Sequence, residues 1–165
     1  SLFFLDRCFL LHRFAVDSSQ KELWVINTHN SAYDDGSLKA RQLAQLQAVI
    51  ESAYQAGHYV IVGGDWNQFP PDFKGVKGFP VEDQPKNRWI PKDYPDPNWQ
   101  WAADHTVPTN RNLRAPFDPD TTSRAVIDYF LLSPNIRLLE VEGIDHAFAY
   151  SDHQAVQVKI ALIRE

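Results

Sequence analysis

Apolar and polar positions along the chain fall into patterned blocks on either side of a long unpatterned middle. Cys8-Phe9-Leu10-Leu11-His12-Arg13-Phe14-Ala15-Val16 reads as a strand, Asp17 to Lys21 as a polar turn, and Glu22-Leu23-Trp24-Val25-Ile26-Asn27-Thr28-His29 as the returning strand. Residues 7–29 are therefore expected to form a β-hairpin. Leu38, Leu43, Leu46, Ile50, Ala53 and Tyr54 recur near helical period, with Ser37 placed to cap the start and Gly57 to stop the end. That spacing predicts an amphipathic helix over Leu38 to Ala56, with Lys39 and Arg41 as an exposed basic pair in its first turn. His58-Tyr59-Val60-Ile61-Val62 reads as a buried strand ended by Gly63 and Gly64. After the unpatterned middle, Ala125 to Ser133 and Arg137 to Val141 read as strands, and Ala155 to Leu162 alternates cleanly as the last one.

Residues 69–123 hold most of the prolines and Trp89, Trp99 and Trp101, with little periodicity. A long irregular segment in a compact domain is usually functional or disordered, and this aromatic content argues against disorder. Two accounts stand side by side. The segment pins itself through Trp and Pro contacts, or it forms one wall of a substrate groove with its aromatics stacking on a base or an apolar group.

Composition narrows the class. The chain has 165 residues, 44% hydrophobic and 13% aromatic, enough for a sizeable core and one globular unit over residues 1–165. Lys and Arg total 16 against 21 for Asp and Glu, and no basic run occurs, which speaks against tight non-specific nucleic-acid binding. A phosphate substrate stays open, because a divalent metal can supply positive charge. The single Cys8 excludes an internal disulfide and a multi-Cys zinc site. No apolar run is long enough to span a bilayer as a helix.

Polar residues then stand where apolar strands run out. Asp65 and Asn67 follow the central strand. If the extended conformation continues, they point to one side and Trp66 to the other. A carboxylate beside a carboxamide suits a metal-bound phosphate or an activated water, and equally suits a local Asx turn. His29 ends the second strand in the same way, although a lone His there is most often satisfied by its own loop. Asp34 and Asp35 read as a solvated turn. Asp128 sits in a hydrophobic run, a costly place for a charge unless it is paired. Asp152 and His153 precede the final strand.

Asn27-Thr28-His29, Gly64-Asp65-Trp66-Asn67, Ile127-Asp128-Tyr129-Phe130-Leu131-Leu132 and Ser151-Asp152-His153 occur in the order and approximate spacing of the endonuclease/exonuclease/phosphatase superfamily, which this chain resembles. The resemblance implies an α/β fold, part of a DNase I-like sandwich of mixed and antiparallel sheets flanked by helices. It implies hydrolysis of a phosphodiester or phosphomonoester assisted by Mg²⁺ or Mn²⁺. By the same resemblance His153 is the general base or transition-state stabiliser, and Asp128 is the carboxylate that orients it. Asp65 is then the group that holds the attacking water and contributes to the metal, and Asp152 a metal-side carboxylate. Asn67, His29 and Trp66 are the residues expected to face the substrate.

The pattern also departs from the family. Its members carry a first-strand Asn and a metal-binding Glu well before the Asn-Thr-His segment, whereas only 26 residues precede Asn27 here. Neither Asp6 nor Glu22 stands in a matching context. The chain is therefore expected to correspond to the C-terminal part of such a domain, with its N-terminal portion absent and the metal weakly bound or missing. Phe3, Phe4, Leu5 and one face of the hairpin would then form an exposed apolar surface and favour self-association. The competing class is a non-catalytic or degenerate half-domain that binds a partner or a second copy of itself. A Ser/His/Asp hydrolase built on Ser151-Asp152-His153 is disfavoured, since no Gly-x-Ser-x-Gly elbow occurs. Nucleic acid, phospholipid head group and sugar phosphate are not separable as substrates by these motifs.

Overall fold

The computed structural model describes residues 7–17, 19–33 and 35–164. In chain order the elements are β1 (Phe9–Ala15), β2 (Glu22–His29), α1 (Ser37–Gln55), β3 (Tyr59–Asp65), β4 (Gly75–Val76), β5 (Phe79–Pro80), a 3-10 turn (Lys86–Arg88), β6 (Gln100–Ala102), β7 (Asn110–Arg111), β8 (Arg124–Ala125), β9 (Asp128–Leu132), β10 (Ile136–Gly143) and β11 (Val156–Leu162). The central sheet has five strands in the order β1-β2-β3-β9-β6. β1 and β2 form the expected antiparallel hairpin. β2 and β3 are parallel, and α1 supplies the crossover that a parallel pair requires. β9 returns antiparallel to β3 and carries β6 on its other edge.

Each face of this sheet is covered by a different layer. On one side Ile26, Val60, Val62 and Leu131 meet Leu43, Leu46 and Ile50 of α1 and the aromatics of the irregular segment. On the other side Tyr59, Ile61 and Leu132 pack with Ile136, Val158 and Ile160 of the antiparallel β10–β11 ribbon. Strand residues alternate between the two layers because successive side chains in a strand point to opposite faces.

Several expectations need correcting. Ser37 is not the helix cap: Gly36 takes the capping position in the left-handed region at φ 101°, and the Asp35 Oδ1 atom accepts the Ser37 N–H at 2.9 Å. Lys39 is not on an exposed face. It is buried, with its ammonium 3.3 Å from the Ala32 carbonyl, because the helix turns that side toward the 30–32 loop. Gly63 and Gly64 do not end the strand but lie within its ladder, paired to Phe130 and Tyr129. The run expected as one strand from Ala125 to Ser133 is divided, since Ala125 pairs in the β7–β8 hairpin and β9 starts at Asp128. Phe3, Phe4 and Leu5 lie outside the described residues, while Leu10 and Phe14 of β1 are exposed.

The irregular segment pins itself. Trp99, Ile90, Tyr94, Phe69 and Phe73 are buried, the Trp89 indole donates to the Phe73 carbonyl at 2.9 Å, and the Tyr94 hydroxyl donates to the Leu43 carbonyl at 3.0 Å. Gln68 ties the same loop down by donating to the Asn87 and Trp89 carbonyls at 3.1 and 3.0 Å.

The two ladder glycines make a testable pair. A Cβ on Gly63 would lie 2.5 Å from the Phe130 ring, which is a side chain and can swing. A Cβ on Gly64 would lie 2.0 Å from the Thr28 carbonyl oxygen, at φ +135°, where a side chain is strained as well. Gly63→Ala is expected to cost about 1–3 kcal/mol by overpacking. Gly64→Ala is expected to cost more, because the Thr28 backbone is held in the β2–β3 ladder. Urea unfolding midpoints measure the order, and a Gly64→Ala variant as stable as Gly63→Ala contradicts it.

Candidate active site

Ladder register assembles the site. His29 of β2 lies opposite Asp65 of β3, and Asp65 lies opposite Asp128 of β9. Adjacent strands run about 4.8 Å apart, so residues opposite one another in three neighbouring strands form one row on one face. His29 Nε2 is 3.4 Å from Asp65 Oδ2. His153, from the loop before β11, leans across the row: its Nδ1 donates to Asp128 Oδ2 at 2.9 Å, and its Nε2 lies 3.9 Å from Asp65 Oδ2. Asn110 Nδ2 donates to His153 Nε2 at 3.0 Å. The tautomer that satisfies both bonds carries its proton on Nδ1 and leaves Nε2 as the acceptor.

The charges act on one another. Burial pushes the Asp65 carboxyl above the usual carboxylate range, and the neighbouring Asp128 charge pushes it further. The hydrogen bond to Asp128 raises His153 above an ordinary imidazole, with the charges of Asp128, Asp65 and Asp152 adding to it and burial opposing it.

Asn67 meets both readings of its motif. It sits at φ 50°, its N–H donates to Asp65 Oδ1 at 2.8 Å, and its side-chain amide donates to the Asn30 carbonyl at 2.9 Å and to Asp65 Oδ2 at 3.1 Å. Both amide hydrogens are thereby committed, so Asn67 holds Asp65 in place and has only its Oδ1 to offer outward. Trp66 departs from expectation. It is fully buried, stacked on Tyr129 and donating to the Tyr129 carbonyl at 3.0 Å, so it faces the core and not a substrate. The strand alternation that turns Asp65 toward the cleft turns Trp66 inward. Asp152 lines the same cleft as Asp65 and His153, but the side chains near enough to share one cation are Asp65, Asp128 and His153. Asp152 contributes its backbone carbonyl, which accepts from Arg111 N at 3.0 Å.

The cleft has a volume of about 570 Å³ and also presents Asn110, Arg88 and Arg111. None of Trp89, Trp99 and Trp101 lines it. Two residues unremarked in the sequence position the candidate set. Thr109 is buried, its Oγ1 accepts the N–H of Ile127 and of Asp128 at 3.0 Å each, and its carbonyl accepts Gln154 N at 2.8 Å. It thus clamps the start of β9 to the segment carrying His153. Asn110 follows it. The only sequence signal for either was the polar run Thr109-Asn110-Arg111-Asn112 within an irregular stretch. Ser151 Oγ accepts the His153 N–H at 3.1 Å, a bracing role that leaves it no nucleophile geometry.

Two crowded carboxylates, one of them raised, suit a hard divalent cation, which prefers oxygen ligands and would relieve their repulsion. The fit is partial, because Asp128 is already engaged by His153. Most of a cation's shell would fall to water and to phosphate oxygens.

A model of the Endonuclease/Exonuclease/phosphatase family matches residues 3–153. No curated protein matches the chain. Solved structures share its fold. An endonuclease/exonuclease/phosphatase from Beutenbergia cavernae aligns at TM-score 0.63 and 18% identity, over 96% of this chain and 40% of its own. The catalytic domain of Xenopus laevis APE2 aligns at 0.63 and 20%, over 96% and 57%. A mannosyl-6-phosphatase from Bacteroides thetaiotaomicron aligns at 0.59 and 15%, over 94% and 57%. The chain thus spans between two fifths and three fifths of the length of these structures. The mixed sheet with a flanking helix is a DNase I-like fold.

The directions of these shifts fix the pH behaviour of the fold. His153 is raised in the folded state above its unfolded value of about 6.5. Its stabilisation is therefore full below that pH and is lost as the pH rises through the folded value. Asp65 is also raised, so its ionisation weighs against the fold above its folded value. In chelator-treated protein at neutral pH, Asp65→Asn should raise the unfolding midpoint. An NMR titration of His153 should show a raised pKa that falls in Asp128→Asn. A destabilised Asp65→Asn, or a His153 titration that ignores Asp128, contradicts this account.

Proposed function

The chain belongs to the Endonuclease/Exonuclease/phosphatase family, and on that premise we propose that it is a phosphoester hydrolase assisted by a divalent cation. The observation that carries the reading is the in-register row His29–Asp65–Asp128 with His153 bonded to its end. The relatives named as a phosphatase and as an endonuclease/exonuclease/phosphatase support the same chemistry.

His153 Nε2 and Asp65 Oδ2 lie 3.9 Å apart, so one water can bond to both once it displaces the Asn110 amide from the single Nε2 lone pair. In the proposed step that water attacks phosphorus while Nε2 takes its proton, and Asp128 stabilises the imidazolium that results. The water oxygen–phosphorus bond forms as the ester bond breaks, and the leaving oxygen takes up a proton from the imidazolium or from solvent. His29, half-exposed at the head of the row, and the guanidinium groups of Arg88 and Arg111 supply donors for the phosphate oxygens. Asn67 and Thr109 are positioning residues, since each acts on a reacting side chain and neither offers a free donor to the cleft. Carboxylate oxygens of Asp65 and Asp128 would hold the cation, which would supply positive charge to the phosphate.

Release of nitrophenol from mono- and bis-nitrophenyl phosphates with Mg²⁺ or Mn²⁺ tests this. His153→Ala should lower kcat about 10²–10⁴-fold, as for loss of a general base, and a chelator should reduce turnover to background. Turnover that survives the chelator, or a His153→Ala variant with near-normal kcat, refutes the reading.

A further inference from the structure

A second cavity of about 410 Å³ adjoins the cleft and shares Arg88, Asn110, Asn112 and Arg114 with it. Arg124 completes its cationic wall, and among the described residues no carboxylate lines it. This is unexpected in a chain with five more acidic than basic residues. Among the described residues, none of Arg88, Arg114 and Arg124 forms an ion pair.

The planes of Arg88 and Arg124 are nevertheless fixed. Arg88 lies over the Phe69 ring at 5.1 Å and Arg124 over the Phe79 ring at 4.7 Å. A guanidinium stacked on a ring can still turn its N–H edge to an anion, and a fork of donors matches phosphate geometry. One Nη of Arg124 donates to the Pro119 carbonyl at 2.7 Å, and its remaining donors face no acceptor among the described residues. The Nε atoms of Arg88 and Arg124 are buried and find no acceptor among the described residues. The hairpin adds to the mismatch. Arg111 of β7 lies directly opposite Arg124 of β8, a like-charge pairing that weakens a two-stranded ladder. Gathering cations without counter-charges costs stability, and a local rule broken in this way marks a place kept for binding. Asn110 joins the two cavities, since it lines both and donates to His153 Nε2.

We propose that this arginine groove is a second phosphate subsite, so that the substrate cleaved at the Asp65–His153 centre carries a further phosphate within a few bonds of the scissile one. The inference rests on the phosphoesterase reading above. The shared chemistry is the second phosphate, whether it is the next link of an oligonucleotide or a second ester on a sugar.

Two matched pairs of probes test it: a thymidine dinucleotide with and without a terminal phosphate, and a hexose bisphosphate with its monophosphate. kcat/KM is measured for the wild-type chain, Arg114→Gln and Arg124→Gln. Calorimetric binding of the same probes is measured in chelator. The wild type should prefer the doubly charged member of one pair, and each variant should lose about tenfold of that preference, the scale of one charge-assisted hydrogen bond. For Arg124→Gln, hydrolysis of the singly charged member should stay within about twofold, since Arg124 lines the second cavity and not the cleft of Asp65 and His153. Arg114 is exposed and unpacked, so its variant reports even where Arg124→Gln disturbs the contact with Phe79. The pair that shows the preference identifies the source. No preference in either pair, or variants that weaken both members equally, overturns the subsite. If nothing is hydrolysed, the catalytic reading fails alone and calorimetry decides. Binding of a doubly charged probe that the variants weaken sustains the subsite, and its absence overturns it.

Discussion

Everything at the candidate site depends on β3 being flanked by β2 on one side and β9 on the other in a fixed register. A strand slip of one residue would turn every side chain to the opposite face and break the row. The two glycines of β3 help to hold that register. They let the Phe130 ring and the Thr28 carbonyl approach the backbone where any side chain would intrude. The register in turn sets Asp65 beside Asp128, and that neighbouring charge adds to burial in raising Asp65. The chemistry therefore follows from backbone pairing, and the hydrogen bonds of Asn67, Thr109 and Asn110 refine it.

Local pattern made the hairpin, the helix and the central strand readable, because each buries a face at its own period. That His29, Asp65, Asp128 and His153 would converge was readable by a different route: polar residues at the ends of apolar strands, in the order of a known family. What failed were statements about which way individual residues face. Lys39 falls on the buried side of α1 because a loop carbonyl is there to receive it, which no helical wheel records. Trp66 was assigned to substrate, yet alternation within its own strand sends it face to face onto Tyr129 and edge-on against Trp101. The glycines looked like a strand end because propensity counts their entropy, whereas here close packing decides.

The irregular segment was the least legible part, and the reason is physical. Its order comes from side chains bonding to backbone far away in sequence, such as Tyr94 to Leu43 and Trp89 to Phe73, and such pairs leave no periodic trace. Its prolines and aromatics announced rigidity but not which residues the rigid loop would present. Net charge is equally silent about local clustering. An acidic chain with no basic run still brings Arg88, Arg111, Arg114 and Arg124 to one region, because 36 positions of sequence separation collapse when β7 pairs with β8 and Arg88 of the 3-10 turn lines the same two cavities.

The division of labour between ladder and loop has a geometric cause. Each strand can place only one side chain at a given level of one face, so His29, Asp65 and Asp128 use up what β2, β3 and β9 can offer there. Any further group must arrive from a connection. A connection can aim a side chain with useful accuracy only if it is itself immobilised, and this one is immobilised by its buried Trp, Tyr and Phe residues. Thr109 shows the consequence most directly. Sitting in that segment, it bonds the first amides of β9 and the backbone of Gln154 at once, so the same few atoms fix both Asp128 and the loop of His153. The aromatic content of residues 69–123 thus serves the site at one remove. It does not touch the cleft, but it makes a loop rigid enough to complete a site that the sheet alone leaves unfinished.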